Sequence, residues 1–260
     1  MPTALFLSPH LDDVAFSCGG TLLRLADDPA WRVVLATVFT ATLADPQGFA
    51  LRCQTDKGIA PEVDYMALRR AEDRAFAESA GVDDAWHWEL PEAPHRGYAS
   101  AAELFAGENA DDAAWQAVRD NLTSLDAELR PDAVFAPQGL GNHVDHLQTI
   151  RAVLGVYPAA GKVCWYRDTP YAIREPGARP AGLLDTADLT QRRVVLPEET
   201  LARKVTACCR YASQIGFQFG GPDGVRAKLT EFHRAEAGGN GYAETFLAAQ
   251  DSPLTNLLFL

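Results

Sequence analysis

No stretch of this 260-residue chain approaches the ~20 consecutive apolar residues that a membrane-spanning helix needs. Basic residues are scarce as well: 23 Lys and Arg stand against 35 Asp and Glu, for a formal charge of −12 at pH 7. With no basic surplus to release counterions from a phosphate backbone, nucleic acid is disfavoured as a partner. The first residues carry no basic segment followed by an apolar one, so no secretory signal is read. Five cysteines, an odd number in a chain this long, do not make a disulfide framework. Reduced thiols in a cytoplasmic protein are the expectation, with Cys18 as a small buried side chain. Internal repeats, low-complexity tracts and linkers are missing too, which predicts one domain over residues 1–260.

What is present is ordinary for a globular protein: 47% hydrophobic and 22% charged residues, enough for one large α/β core. Polar residues gather at two places. The first is the opening stretch, Ala4-Leu5-Phe6-Leu7-Ser8-Pro9-His10-Leu11-Asp12-Asp13. Ala4 to Leu7 suits a buried strand, and Pro9, lacking an N–H, ends it. Beyond it stand an imidazole and two carboxylates. His10 and Asp13, three residues apart, share a face of one helical turn, while Asp12 points elsewhere. Such a turn can offer two ligands to a metal and hold a third group back as a base. The plainer alternative is that Asp12 and Asp13 cap the helix that follows.

The second place repeats the pattern. Ala133 to Ala136 leads into Pro137, and Gly139-Leu140-Gly141-Asn142-His143-Val144-Asp145-His146 follows. His146 could supply a third ligand. Two imidazoles and a carboxylate, with one position left for water, form a known hydrolytic zinc pattern.

The remaining chain reads as an alternation of strands and helices. Val14 to Ala26 is helical, with a Cys18-Gly19-Gly20 patch permitting close approach of a neighbour. Trp31 to Thr40 is β-branched and apolar, as an interior parallel strand is. Ala41 to Asp64 reads as a long loop, and Met66 to Ala80 as a helix closed by Gly81. Val82 to Leu90 is a third strand, Ala110 to Leu129 an amphipathic helix, Val144 to Val156 a helix and Lys162 to Tyr166 a fifth strand. After an irregular excursion come a late edge strand at Arg192 to Leu196 and a helix from Glu198 to Tyr211. Glycine-rich segments, Gly216 to Gly224 and Gly238 to Gly241, then bracket a helix at Val225 to Arg234. The order predicts an α/β, Rossmann-like three-layer sandwich with a mostly parallel central sheet and a metal site at the C-terminal ends of its strands.

Ser-Pro-His-Leu-Asp-Asp together with His-Val-Asp-His resembles the LmbE/PIG-L family of metal-dependent N-acetylglucosaminyl deacetylases. Leu11 stands where the family's first motif usually has proline, as in a branch that includes deacetylases of glycosylated natural products. The resemblance implies that His10, Asp13 and His146 hold the metal, zinc by default with iron(II) using the same donor set. It implies Asp12 as the catalytic base. Protonated His143 would stabilise the oxyanion, and Asp145 would orient His143. Arg69, in a segment like the family's Arg-x-x-Glu region, Glu92 and Arg96 are the implied substrate contacts, with Arg70 the alternative to Arg69. Tyr211 to Gln214 and Tyr242 to Phe246 echo later family segments. The substrate implied is a small-molecule amide, an N-acetylated amino-sugar conjugate, and a homo-oligomer is compatible with it. The competing expectations are an amidase of a non-sugar amide or thiol conjugate, and a non-catalytic sugar-binding homologue. Retention of Asp12 and of all three ligands argues against the last.

Overall fold

The apolar run near the N-terminus forms the centre of the sheet. The computed structural model describes residues 1–158, 160–250 and 252. In it β1 (Thr3–Ser8) is buried along its whole length. Strands β2 (Arg32–Thr37), β3 (Asp84–His87), β4 (Ala133–Pro137) and β5 (Val163–Tyr166) run parallel to it. Strands β6 (Leu189–Leu196) and β7 (Tyr242–Ala249) are antiparallel additions, giving the order β3-β2-β1-β4-β5-β7-β6. The late edge strand expected at Arg192 to Leu196 is thus β6, begun three residues earlier. The first five strands have the 3-2-1-4-5 order of a doubly wound sheet.

Alternation along β1 sends Ala4 and Phe6 to one core and Leu5 and Leu7 to the other. Phe6 lies opposite Phe135 of β4 in register, with ring centroids 4.2 Å apart. Helices α1 (Asp13–Ala26), α3 (Tyr65–Ala80), α7 (Glu198–Cys208), α8 (Ala212–Phe219) and α9 (Pro222–Glu236) contribute to the first core. Helices α4 (Ala114–Leu129) and α5 (Val144–Val156) cover the other face. Two short helices, α2 (Gly48–Thr55) and α6 (Tyr171–Arg174), complete the set. No helix among the described residues is long and apolar enough to cross a membrane.

Two segments differ from the sequence reading. The expected loop at Ala41 to Asp64 contains α2, whose one buried residue is Gln54. An eight-residue helix that buries an amide, bonded to the carbonyls of Ala60 and Val63, leaves no hydrophobic period to read. Helix α8 likewise runs through Gly216, where a Cβ would meet nothing within 4 Å, and stops at Gly220 with φ 86°. At Gly20 the expected close approach is real. A Cβ there would lie 2.7 Å from Leu196 and 2.9 Å from Glu244.

Candidate metal centre and its pocket

In a doubly wound sheet, ligands bind beyond the C-terminal ends of the strands where the order reverses. Here that point lies between β1 and β4, the two strands followed by the polar motifs. After β1 the chain turns sharply. Ser8 Oγ donates to the His10 carbonyl at 2.6 Å and accepts from Val14 N–H at 3.1 Å. Asp13 Oδ2 accepts from the His10 backbone N–H at 2.8 Å. Asp12 adopts φ 141°, a conformation an L-residue holds at a cost of about 1–3 kcal/mol and which clusters at functional sites. Its side chain makes no helix-capping bond, so helix capping is not its role. Buried to 6% exposure and without a side-chain hydrogen-bond partner among the described residues, the carboxylate lines a cavity of about 310 Å³.

The loop after β4 is shaped by glycine. Gly139 has φ 73°, and a Cβ there would come within 2.7 Å of Ile150 and 2.8 Å of Ala181. The turn delivers His143 to the N-cap of α5, where Nδ1 accepts the Asp145 N–H at 3.2 Å. That bond assigns the proton of the neutral ring to Nε2. His146, one turn on, is fully buried, and its Nε2 has no hydrogen-bond partner among the described residues.

The donors converge. Asp13 Oδ2 lies 3.2 Å from His10 Nδ1 and 3.2 Å from His146 Nε2. Donors held by one zinc at ~2.0–2.1 Å and tetrahedral angles stand about 3.4 Å apart, so this spacing fits a shared ion. His143 stands close enough for the three imidazoles to offer nitrogens within 4.8 Å of one another. The distal nitrogens are fixed by carboxylates: His10 Nε2 by Asp145 Oδ2 at 2.8 Å, His146 Nδ1 by Asp168 Oδ1 at 2.5 Å. Carboxylate-backed imidazoles are how proteins set the orientation and basicity of metal ligands. The residues present form a site suited to a divalent metal.

The electrostatics agree with the geometry. Burial alone would lower His146, but the Asp13 and Asp168 carboxylates carry it up to about 9. Burial would raise Asp13, yet the imidazoles of His146 and His10 hold it well below the usual carboxylate range. The cluster favours positive charge at its centre, which protons or a divalent ion can supply. Asp12 behaves oppositely: burial, then the neighbouring Asp13 charge, push it up to about 8.

Three expectations are corrected. Asp145 does not orient His143 through its carboxylate; that carboxylate faces His10, because His143 sits outside the helix at its N-cap while Asp145 lies in the first turn. His143 is not poised to be protonated, since burial and the adjacent His10 push it well below the ordinary histidine range. Arg96, expected to touch substrate, lies behind the site. It grips Asp112 with two nitrogens at 3.1 and 2.9 Å, Asp145 Oδ1 at 2.7 Å and the Pro91 carbonyl at 2.7 Å. Its planar fork is used on protein groups, so it supports Asp145 instead.

Arg69 and Glu92 do line the cavity, paired at 2.5 Å. Arg70 turns away to the Thr40 carbonyl. Two residues of the site lie outside the sequence reading. Asp168 follows β5 and backs His146, and Tyr171 lies edge-on to the same ring at 5.5 Å between centroids. A polar residue just past the end of a parallel strand is the signal that points to Asp168.

The sequence matches a family model described as PIG-L: GlcNAc-PI de-N-acetylase over residues 5–157. A curated relative, 2'-N-acetylparomamine deacetylase of Streptomyces fradiae, is 32% identical over 203 residues, covering 73% of this chain and 69% of the relative. Among solved structures, the A40926 pseudoaglycone deacetylase superposes with a TM-score of 0.79 at 28% identity, over 96% of this chain and 97% of the other. A zinc-inhibited form of teicoplanin deacetylase gives 0.82 at 28% identity, over 96% and 100%.

Proposed function

This chain belongs to the PIG-L family of de-N-acetylases, and from that premise we propose that it hydrolyses the N-acetyl group of a GlcNAc-bearing small molecule or glycosylated metabolite in a metal-dependent reaction. One observation carries the reading: three donors, His10 Nδ1, Asp13 Oδ2 and His146 Nε2, converge beside a buried carboxylate, Asp12, that has no side-chain hydrogen-bond partner among the described residues. His10, Asp13 and His146 would hold the ion, with zinc our reading and iron(II) suited to the same donors. When bound, the ion supplies an acidified water and polarises the amide carbonyl.

Asp12 takes the proton of the attacking water and returns it to the departing nitrogen, so acetate and a free amine leave. His143, neutral and with its Nε2–H directed to the cavity, donates to the oxygen that becomes negative as the carbonyl carbon turns tetrahedral. Asp145 and Asp168 are positioning residues that hold the two imidazole ligands, with Arg96 behind Asp145. Arg69 and Glu92, at the wall of the cavity, offer the sugar hydroxyls a donor and an acceptor. We read residues 1–260 as one catalytic unit, and the five free thiols support a cytoplasmic setting.

The test is amine release from a panel of N-acetylglucosamine conjugates with the zinc-loaded and the anaerobic iron-loaded protein. Acetate released from at least one conjugate supports the reading. Metal bound without turnover of any GlcNAc compound, but with turnover of other amides, shifts it to the amidase alternative.

A further inference from the structure

The cavity that holds Asp12 and His143 opens through a mouth built from three separate elements. Arg52 comes from α2, Lys57 from the turn after it, and Arg174 from α6. None of these cations has a carboxylate within ion-pairing distance among the described residues; Arg174 bonds to the Gln218 amide and Lys57 to the Cys53 carbonyl. Elsewhere among the described residues some half-buried arginines, such as Arg32, Arg119, Arg151 and Arg203, have an acidic partner, while Arg24 and Arg192 bond to carbonyls. What sets Arg52, Lys57 and Arg174 apart is that they line one cavity. Among the described residues Asp56 is the one unpaired acid at this mouth, because Glu92 is taken by Arg69. At this mouth three cations thus face one acid in a chain of formal charge −12, while the carboxylates of Asp12, Asp13 and Asp145 on the same lining are buried.

The same mouth is aromatic. The Arg52 guanidinium lies 5.6 Å from the Phe49 ring centre, and Lys57 Nζ lies 5.2 Å from that of Phe217. Phe217 is 61% exposed and Phe105 39% exposed, both on the cavity lining. Apolar faces beside unpaired cations suit a ligand with an apolar body and a negative group, since like charges gathered on one rim are relieved by an anion. Resting on the deacetylase reading, we infer that the substrate's aglycone is apolar and carries an anionic group, received by Arg52, Lys57 and Arg174. Arginine's paired N–H donors match a carboxylate or a phosphate equally.

The experiment compares aryl N-acetylglucosaminides of both anomeric configurations whose para substituent is carboxylate, phosphate, neutral carboxamide or aminomethyl. For the metal-loaded protein the expected result is a preference of about tenfold or more in kcat/KM for an anionic over the carboxamide substrate, carried by KM. The aminomethyl compound ranks last. Raising salt from ~0.01 to ~1 M, where the screening length falls from ~30 to ~3 Å, erodes the preference. In an Arg52→Gln, Lys57→Gln, Arg174→Gln variant the ratio of anionic to neutral kcat/KM collapses towards one. Whichever of carboxylate and phosphate leads identifies the anion. Equal or better turnover of the carboxamide or aminomethyl compound overturns the inference and leaves the deacetylase reading standing. No turnover of any member of the series removes both. Because the salt response is read on the unaltered protein, the outcome does not depend on the triple variant folding.

Discussion

Helix α1 carries two clusters of buried charge, one at its start and one at its middle. At the start stand His10, Asp12, Asp13 and His146, with Asp145 and Asp168 behind them. At the middle, Lys204 Nζ meets Glu244 Oε1 at 2.8 Å, His233 Nε2 at 2.8 Å and the Ser17 carbonyl at 3.2 Å. That carbonyl is exposed to Lys204 where α1 loses helical geometry at Cys18. Glu244 further accepts from the backbone N–H groups of Gly20 and Thr21 and from the Thr21 hydroxyl. His233 Nδ1 donates to the Ala243 carbonyl at 3.0 Å. All three donors of Lys204 and both carboxylate oxygens of Glu244 are therefore used. The first cluster instead leaves His146 Nε2 and the Asp12 carboxylate without a side-chain hydrogen-bond partner among the described residues, beside a cavity. A closed polar network holds a fold together, and an open one is poised to act on something else.

That contrast is broken most sharply by Asp12→Asn. Asparagine keeps the shape and cannot take a proton, so kcat should fall by the ~10²–10⁴-fold that a positioned general base contributes. Bound metal, measured by elemental analysis, and the thermal midpoint should stay near those of the parent. Retained turnover would end the assignment of Asp12 as base. The mirror experiment is Lys204→Met, which strands Glu244 as an uncompensated buried charge. Breaking one side of a buried pair costs about 3–5 kcal/mol, which in a chain of this size is a drop in Tm of roughly 6–20 °C. The turnover of the molecules that remain folded should change far less. A large loss of kcat with an unchanged melting curve would mean that the middle cluster is not merely structural.

The open cluster is largely legible in the sequence and the closed one is not. His10 with Asp13, and His143 with His146, lie three residues apart within a short turn of apolar runs, so local spacing places them beyond strand ends and on helical turns. Lys204, His233 and Glu244 come from α7, α9 and β7 and meet only through the tertiary fold. The resemblance of Tyr242 to Phe246 to a family segment points to the stretch without revealing that Glu244 is an internal counter-charge. Asp168 lacks a motif of its own, and Arg96 misleads because a loop arginine looks the same whether it faces substrate or a buried carboxylate. The parallel core is visible in continuous apolar runs. Helices α2 and α8, held by amide bonds and crossed by glycine, carry no comparable period.

A smaller effect separates ligands from the groups that back them. In Asp168→Asn the amide oxygen can still accept from His146 Nδ1–H, but the charge that strengthens the ring as a donor is gone. Metal affinity or activity should fall by about 10–100-fold, the usual loss when such a partner is altered. Competition against a chromophoric chelator measures it. Affinity equal to the parent's would show that Asp168 contributes only packing.

The smallest effect is a slope. Burial, then the adjacent Lys204 charge, lower His233 from its ordinary value near 6.5 to about 3. Between those values the unfolded chain binds a proton that the folded chain refuses, so stability falls as the pH falls through this window. One such site contributes at most about 1.4 kcal/mol per pH unit. Above pH 6.5 both states are neutral at this ring and the contribution is flat. His146 and His10 are raised on folding and act in the opposite direction, losing stability as pH rises, so the parent curve alone mixes the two. Subtracting the denaturation curve of His233→Gln, which keeps a donor and an acceptor but does not titrate, isolates the contribution of this ring. The parent's advantage over the variant should shrink steadily from about pH 6.5 to about pH 4.5. Parallel curves would mean that His233 takes up its proton inside the fold, and the middle cluster would then be as open to charge as the one that holds the proposed metal ligands.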